Sequence, residues 1–178
     1  MILLNKFFPT SNDPFLLADA DMALAKFGHL NYLLKYMPDV LTTTSSFSVT
    51  SSTTLVDVTG LSKIVEAGGV YSFRATLPVT VNGTPGSKVA IGGTCTVSNI
   101  NAVATYYIGN GIAVATTTST TLGTAIGGAA AQHVFITIEG TCTVSANGTL
   151  TVMFAQNVSN ATASTVLANS SFTVTRVS

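Results

Sequence analysis

Few side chains in this 178-residue sequence have the types and spacing that chemistry needs. Cys95 and Cys142 offer thiols, and His29 and His133 offer imidazoles. A thiol nucleophile needs a positive or histidine neighbour that lowers its pKa, and neither cysteine has one beside it in the sequence. Zinc sites combine several Cys, His, Asp or Glu ligands at short spacings, which both histidines lack. We therefore expect no enzymatic activity, no metal and no cofactor, although a ring of His29 side chains around an oligomer axis stays an alternative.

Carboxylates are as scarce as imidazoles in the second part of the chain. Between residues 75 and 178 the charged residues are Lys88, Glu139 and Arg176 alone, and 8% of the whole chain is charged. An ordinary soluble domain has about 25% charged residues. The formal net charge is zero, so nothing favours binding to nucleic acid. This composition predicts a structural body that does not repel copies of itself.

The elements that position the cysteines are two similar segments, residues 91–98 and 138–145, which read IGGTCTVS and IEGTCTVS. Alternating side chains of a strand point to opposite faces, so we predict two equivalent strands with Cys95 and Cys142 as core residues. A disulfide between neighbouring strands is the alternative. In a protein made in a cytoplasm, two cysteines are more often reduced.

Cytoplasmic production is itself an expectation from the first residues. The segment 1–9 is apolar but too short for the core of a signal peptide, and no charged region precedes it. No stretch of the sequence approaches 18 consecutive apolar residues, so we expect no membrane insertion.

A helix is predicted over about residues 14–37. Asp13 and Pro14 are typical of an N-cap and a first helical position, and Pro38 ends the helix. Within it, apolar residues repeat at spacings of 4 and 3, the heptad pattern of helices that wrap around one another. The members of this seam are Leu16, Ala20, Ala23, Phe27, Leu30, Leu34 and Met37. An amphipathic helix that packs on its own domain is the alternative to self-association.

Three segments differ in composition. Residues 1–41 hold the predicted helix, residues 42–54 form a Ser/Thr-rich linker or edge strand, and residues 55–178 alternate apolar and polar residues between turns. Asn147-Gly148 is a hairpin pattern. Repeated short strands predict a mainly β fold, an antiparallel sandwich or jelly roll.

The last part of the β-domain resembles a known family. The segment 154–160 reads FAQNVSN, and the final strand ends in Arg176. These features resemble the C1q/TNF-like jelly-roll domain of tailed-bacteriophage virion proteins, and the helix motif AKFGHLN at residues 25–31 is a weaker match to the same group of phage proteins. The resemblance covers residues 55–178. Calcium-binding members of that family use acidic loops, which this chain lacks.

The resemblance implies a homotrimer in the virion, made in the host bacterial cytoplasm, with the helix acting as a trimeric coiled coil. It implies a head or tail fibre or appendage. We expect attachment to a bacterial surface glycan or protein to use exposed loops near residues 106–111 or 116–128. A receptor-independent decoration or joining protein and a cellular surface adhesin are the alternatives.

An apolar cluster precedes the helix and is too short to fold alone. We expect it to dock on another virion protein, and packing against the helix bundle is the alternative. The residues of this predicted anchor are Ile2, Leu3, Leu4, Phe7, Phe8 and Phe15.

Overall fold

The computed structural model of the chain describes residues 26, 30, 34–82, 84–108, 113–129 and 132–178. The chain forms two compact units, residues 1–37 and residues 38–178. In the first unit, the four described positions before residue 36 have helical backbone. The rest of the helix predicted at 14–37 lies outside the described residues, so the helix and its coiled coil stay predictions.

The second unit is built from strands. In its described part they are β1 (Asp39–Thr42), β2 (Phe47–Val49), β3 (Val56–Val65), β4 (Val70–Val81), β5 (Ser87–Gly92), β6 (Thr96–Tyr107), β7 (Ala113–Ser119), β8 (Ile126–Ala129), β9 (His133–Ala146), β10 (Gly148–Ala155), β11 (Ser164–Val166) and β12 (Ser171–Arg176).

The strands form two antiparallel sheets. The larger sheet has the order β1-β12-β4-β9-β6-β7, and β11 joins it by pairing with β4 and with β2. The smaller sheet has the order β3-β10-β5-β8. The prediction of a mainly β, antiparallel sandwich is therefore confirmed. Its assignment as a C1q/TNF-like jelly roll stays a prediction.

Alternation of apolar and polar residues places the core between the two sheets. In β4, Tyr71, Phe73 and Ala75 are buried, whereas Arg74 between them is exposed. Burial of apolar surface contributes about 25 cal/mol per Å² to folding, so this alternation determines which side of each strand faces inward. The largest fully buried side chains include Tyr106, Phe154, Phe172, Leu61, Leu77, Ile91, Ile100, Ile136 and Ile138.

The two sheets also meet at their edges. Strand β1 contacts β3 at one edge, and β7 contacts β8 at the other. The Lys63 ammonium pairs with the Asp39 carboxylate across the first edge. Near the second edge, the Tyr106 hydroxyl donates a hydrogen bond shared between Ile126 O, at 2.8 Å, and Gly127 O, at 2.9 Å. These contacts keep each edge strand of one sheet beside the other sheet.

Strands β1 and β2 lie upstream of residue 55, where the sequence places the start of the β-domain. Strand β1 pairs with β12, and β2 pairs with β11. The segment 42–54 thus includes the short strand β2 at the edge of the larger sheet.

Two predictions about the β-domain are wrong. Residues 91–98 and 138–145 are not equivalent strands, because the first segment leaves β5 at Gly92 and enters β6 at Thr96, whereas the second lies within β9. Asn147-Gly148 does not form a hairpin within one sheet, because β9 belongs to the larger sheet and β10 to the smaller. It is a turn that connects the two sheets.

Candidate functional site: the outer face of the larger sheet

A surface with a regular chemical pattern is the side of the larger sheet that points away from the core, which we call the outer face. The register of six neighbouring strands aligns its side chains in rows across the sheet. One row carries a hydroxyl group on every strand. From β1 to β7 its members are Thr42, Ser171, Thr76, Thr137, Thr105 and Thr116.

The adjacent row contains the charges of the outer face. Arg74 on β4 lies directly opposite Glu139 on β9, and Arg74 Nε is 3.1 Å from Glu139 Oε1. Both side chains are more than half exposed, at 65% and 56%. Exposed ion pairs contribute at most about 1 kcal/mol to stability. The main effect of this pair is that its two charges cancel locally.

A groove of about 620 Å³ opens on this face where β6, β7 and β9 run side by side. Its lining side chains include an amide, three hydroxyls, a carboxylate and a valine. They are Asn101, Thr118, Thr120, Thr141, Glu139 and Val103. A second cavity, of about 280 Å³, adjoins the turn after β7 and shares Thr120 with the groove. The groove therefore offers hydrogen-bond donors and acceptors with one apolar contact.

An aromatic pair lies on the same face, toward the end of β6. Tyr107 is opposite Phe135 in the register, and the ring centroids are 6.3 Å apart in an edge-on arrangement. Pro78 of β4 is the next neighbour of Phe135. The two loops that the sequence predicts as contact sites are partly strand, since residues 106–107 belong to β6 and residues 116–119 to β7. Residues 109–112 lie outside the described part.

The charged residues near the C-terminus also have partners. Arg176 Nη1 is 2.9 Å from Glu66 Oε2, and the Arg176 guanidinium lies over the Tyr71 ring at 5.8 Å from its centroid. Tyr71 in turn accepts a hydrogen bond from the Glu66 amide at 2.9 Å. Lys88 lies on β5 in the smaller sheet. Of the three charged residues between positions 75 and 178, Glu139 and Arg176 are therefore each paired with an opposite charge within the chain.

Both cysteines lie in the core and are free thiols. Cys142 is opposite Ile100, whereas Cys95 precedes the pair formed by Thr96 and Ala146. The disulfide that the sequence leaves open is not formed, because both thiols are free. Burial raises the pKa of the Cys95 thiol and that of the Cys142 thiol, which disfavours a reactive thiolate.

A serine–histidine pair that the sequence did not suggest lies inside the sandwich. His133 Nε2 is 2.6 Å from Ser87 Oγ, and the His133 ring meets the Tyr106 ring edge-on at 5.2 Å. Ser87 is 0% exposed and His133 is 1% exposed. A substrate has no access to a pair buried this deeply, so we assign it to packing. The residues are 46 positions apart in the chain, and no local pattern links them.

The segment that carries the family resemblance has a structural role around Gln156, which is fully buried. Its carbonyl oxygen accepts hydrogen bonds from Ser52 N at 3.3 Å and Asn160 N at 3.0 Å. Its amide donates to Thr162 O at 2.7 Å. Gln156 thus fixes the loop after β10 to the segment before β3. This accounts for a glutamine at that position without reference to a ligand.

The predicted anchor residues, and the seam residues from Leu16 to Phe27, lie outside the described part of the chain, as does His29. The other three seam residues, Leu30, Leu34 and Met37, are 51%, 53% and 59% exposed. The described residues contain no group of three or more His, Cys, Asp or Glu side chains placed to hold a metal ion. Within the same residues, no helix is long and apolar enough to cross a membrane.

Comparisons of sequence find no matching protein-family model and no matching curated protein. Solved structures give matches at low similarity. The infectious bursal disease virus VP2 subviral particle is 17% identical, with 77% of this chain and 40% of that chain covered and a TM-score of 0.21. The Gx strain of infectious bursal disease virus is 15% identical, with 79% and 39% covered and a TM-score of 0.23.

The chain thus spans about two fifths of the length of these viral chains. At TM-scores this low, the matches assign neither a fold family nor a role to this chain.

Proposed function

We propose that this chain is a structural protein of a phage virion, a trimeric head or tail fibre or appendage with an N-terminal anchor and an outward β-domain. The sequence resemblance at residues 154–160 and in the last strand supports the virion assignment. The sandwich of residues 38–178 agrees with the β-domain that the resemblance implies. The observation that carries the proposal is the outer face.

The outer face is suited to contact and unsuited to catalysis. Its row of hydroxyl side chains crosses six strands, and the charges of Arg74 and Glu139 cancel each other. Catalysis by acids and bases needs groups whose pKa values lie near the working pH. A broad, neutral, hydrogen-bonding surface instead fits a protein that meets uncharged partners, including copies of itself.

Self-association through the helix is the second part of the proposal. The described seam residues Leu30, Leu34 and Met37 each leave at least half of their surface exposed. Burying such side chains stabilises an assembly by about 1.5–3 kcal/mol each. A closed three-fold arrangement would bury all three seams against one another. The molar mass measured by sedimentation is then expected to be three times that of the single chain.

Deletion of residues 1–20 tests the anchor. It is expected to abolish incorporation into particles while the protein remains a trimer, because residues 23–37 of the seam are retained. Quantitative mass spectrometry of purified particles measures copy number, and analytical ultracentrifugation measures the oligomer. Incorporation of the deleted protein at normal copy number would overturn the anchoring role.

The charge-poor outer face also suits a receptor-independent decoration or joining protein. The two roles differ in one measurement, the adsorption of phage to host cells in the presence of excess purified protein. A fibre that contacts the host is expected to reduce adsorption, and a decoration protein is expected to leave it unchanged.

A further inference from the structure

We propose that the groove between β6, β7 and β9 is a binding subsite for a neutral oligosaccharide. The proposal rests on the virion function above and names the class of ligand that the outer face would contact. Its volume of about 620 Å³ lies within the range of 300–1,000 Å³ that small-ligand sites occupy.

The lining matches the hydroxyl groups of a sugar. Thr118, Thr120 and Thr141 carry hydroxyls, each of which can donate one hydrogen bond and accept two. The Asn101 amide adds donors and an acceptor, and its nitrogen is 3.3 Å from Asn99 Oδ1, which orients it along β6. A ligand that both donates and accepts at every position, as a pyranose does, fits this lining better than an apolar ligand.

The charge of the groove selects against anionic polymers. Glu139 is the one charged residue of the lining, and Arg74 beside it pairs with its carboxylate. A carboxylate presents about four acceptor sites, so Glu139 can hold the Arg74 guanidinium and accept hydroxyl groups of a ligand as well. With no cation in the lining, a phosphate or sulfate group would lack the partner that anion sites provide.

The outer face extends the groove into a track along β6 and β9. Beyond the groove, the cross-strand pairs are Thr105 with Thr137 and then Tyr107 with Phe135. Outward positions on a strand are about 6.8 Å apart, so the aromatic pair lies roughly 14 Å from the pair of Val103 and Glu139. An aromatic ring can support the apolar C–H face of a pyranose at that end. The track therefore has room for several sugar units.

An extended peptide fits this place less well than a glycan. Peptides commonly bind sheets by adding a strand to an unpaired edge. Strands β6 and β9 each pair on both sides, β6 with β9 and β7, and β9 with β4 and β6. Their backbone groups are therefore used within the sheet, and recognition depends on side chains.

The test compares two double variants that lie in one row of the register. Asn101→Ala with Thr141→Ala removes two groups from the groove, whereas Ser72→Ala with Thr175→Ala removes two hydroxyls from the same row on β4 and β12. The probes are di- and hexasaccharides of glucose, galactose, mannose, rhamnose and N-acetylglucosamine, with teichoic acid as the anionic probe. Isothermal titration calorimetry on the full chain measures binding.

The expected result is binding of at least one neutral hexasaccharide, weakened about tenfold in the groove variant and less than about twofold in the control. Phe135→Leu is expected to weaken hexasaccharide binding more than disaccharide binding. Thr118→Ala replaces the double variant if the latter does not fold. The glycan subsite would be overturned if no neutral probe bound, or if teichoic acid alone bound. It would also be overturned if the groove variant and the control variant lost the same amount of affinity. A trimer that still enters particles would show that the proposed function survives such a failure.

Discussion

Cys142 shows what burial does to a residue type that otherwise suggests chemistry. Desolvation, with a smaller contribution from the Cys95 thiol, raises the pKa of its thiol to about 12. Burial also raises the pKa of Tyr106. The buried Cys142 thiol behaves as a small apolar side chain. Its raised pKa affects the free energy of unfolding at alkaline pH and does not make the thiol reactive.

The stability of the sandwich is expected to fall at alkaline pH because of this thiol. Between about pH 9 and pH 12, Cys142 ionises in the unfolded chain but stays protonated in the folded one. The unfolded state then binds fewer protons, so the free energy of unfolding decreases as pH rises. Urea denaturation at several pH values measures this slope.

Cys142→Ala is expected to make that alkaline slope shallower, although it lowers stability at neutral pH by removing a buried group. Thr143→Ala, which changes an outward side chain of the same strand, is the control and is expected to keep the parental slope. An unchanged slope in Cys142→Ala would contradict a raised pKa of the Cys142 thiol in the folded state.

Sequence alternation predicts several strands but not the points where strands end. The alternation of residues 70–77, 150–154 and 171–177 is typical of strands, and these segments correspond to β4, β10 and β12. The sequence pattern does not predict strand β3. This strand is irregular, because Gly60 adopts a φ of +89° within it and its register with β10 shifts nearby. Strands β1 and β2 have too few apolar residues to show an alternation. Their pairing partners lie more than 100 residues away.

The repeated sequence TCTVS is a second case in which the sequence does not show where a strand begins or ends. In one copy it follows Gly93, whose φ is +119°, and the chain turns from β5 in the smaller sheet to β6 in the larger. In the other copy Gly140 lies within β9. Identical residues thus follow a turn in one place and continue a strand in the other, because the glycine before them takes a different backbone conformation.

Gly93→Ala is expected to destabilise the fold strongly. A Cβ at this position would lie 2.1 Å from Thr149 O, and the φ of +119° is one that alanine rarely adopts. Gly68→Ala is the matched control, because its φ is also positive but no atom lies within 4 Å of the added Cβ.

The control is expected to cost about 1–2 kcal/mol from backbone strain alone, and Gly93→Ala several kcal/mol more than the control because of the clash. Chemical denaturation measures both. Equal losses in the two variants would contradict a close approach between Gly93 and β10.

At the scale of the whole molecule, the outer face could not be predicted from the sequence. Its hydroxyl row combines residues from 42 to 171, and their alignment depends on five separate strand pairings. The scarcity of charge was visible in the sequence, but the pairing of Glu139 with Arg74 was not. The groove likewise needs three strands that are distant in the chain.

Self-association of this chain is expected to depend weakly on salt. Salt screens charges beyond about 10 Å at 0.1 M and about 3 Å at 1 M. Contacts between charge-poor bodies and apolar helix seams are barely affected by such screening. The trimer dissociation constant is expected to change less than about threefold between 0.1 and 0.5 M sodium chloride, measured by sedimentation equilibrium. A tenfold weakening would indicate an interface built on ion pairs instead.

The pairing of β1 with β12 has a practical consequence for display of foreign peptides. Asp39 lies opposite Val174, and Val177 N donates to Val70 O at 2.8 Å, so the chain enters and leaves the sandwich at the same end. A peptide fused after Ser178 would therefore emerge beside the point where residue 38 begins the β-domain. A cargo meant for the opposite end belongs between Val81, where β4 ends, and Ser87, where β5 begins.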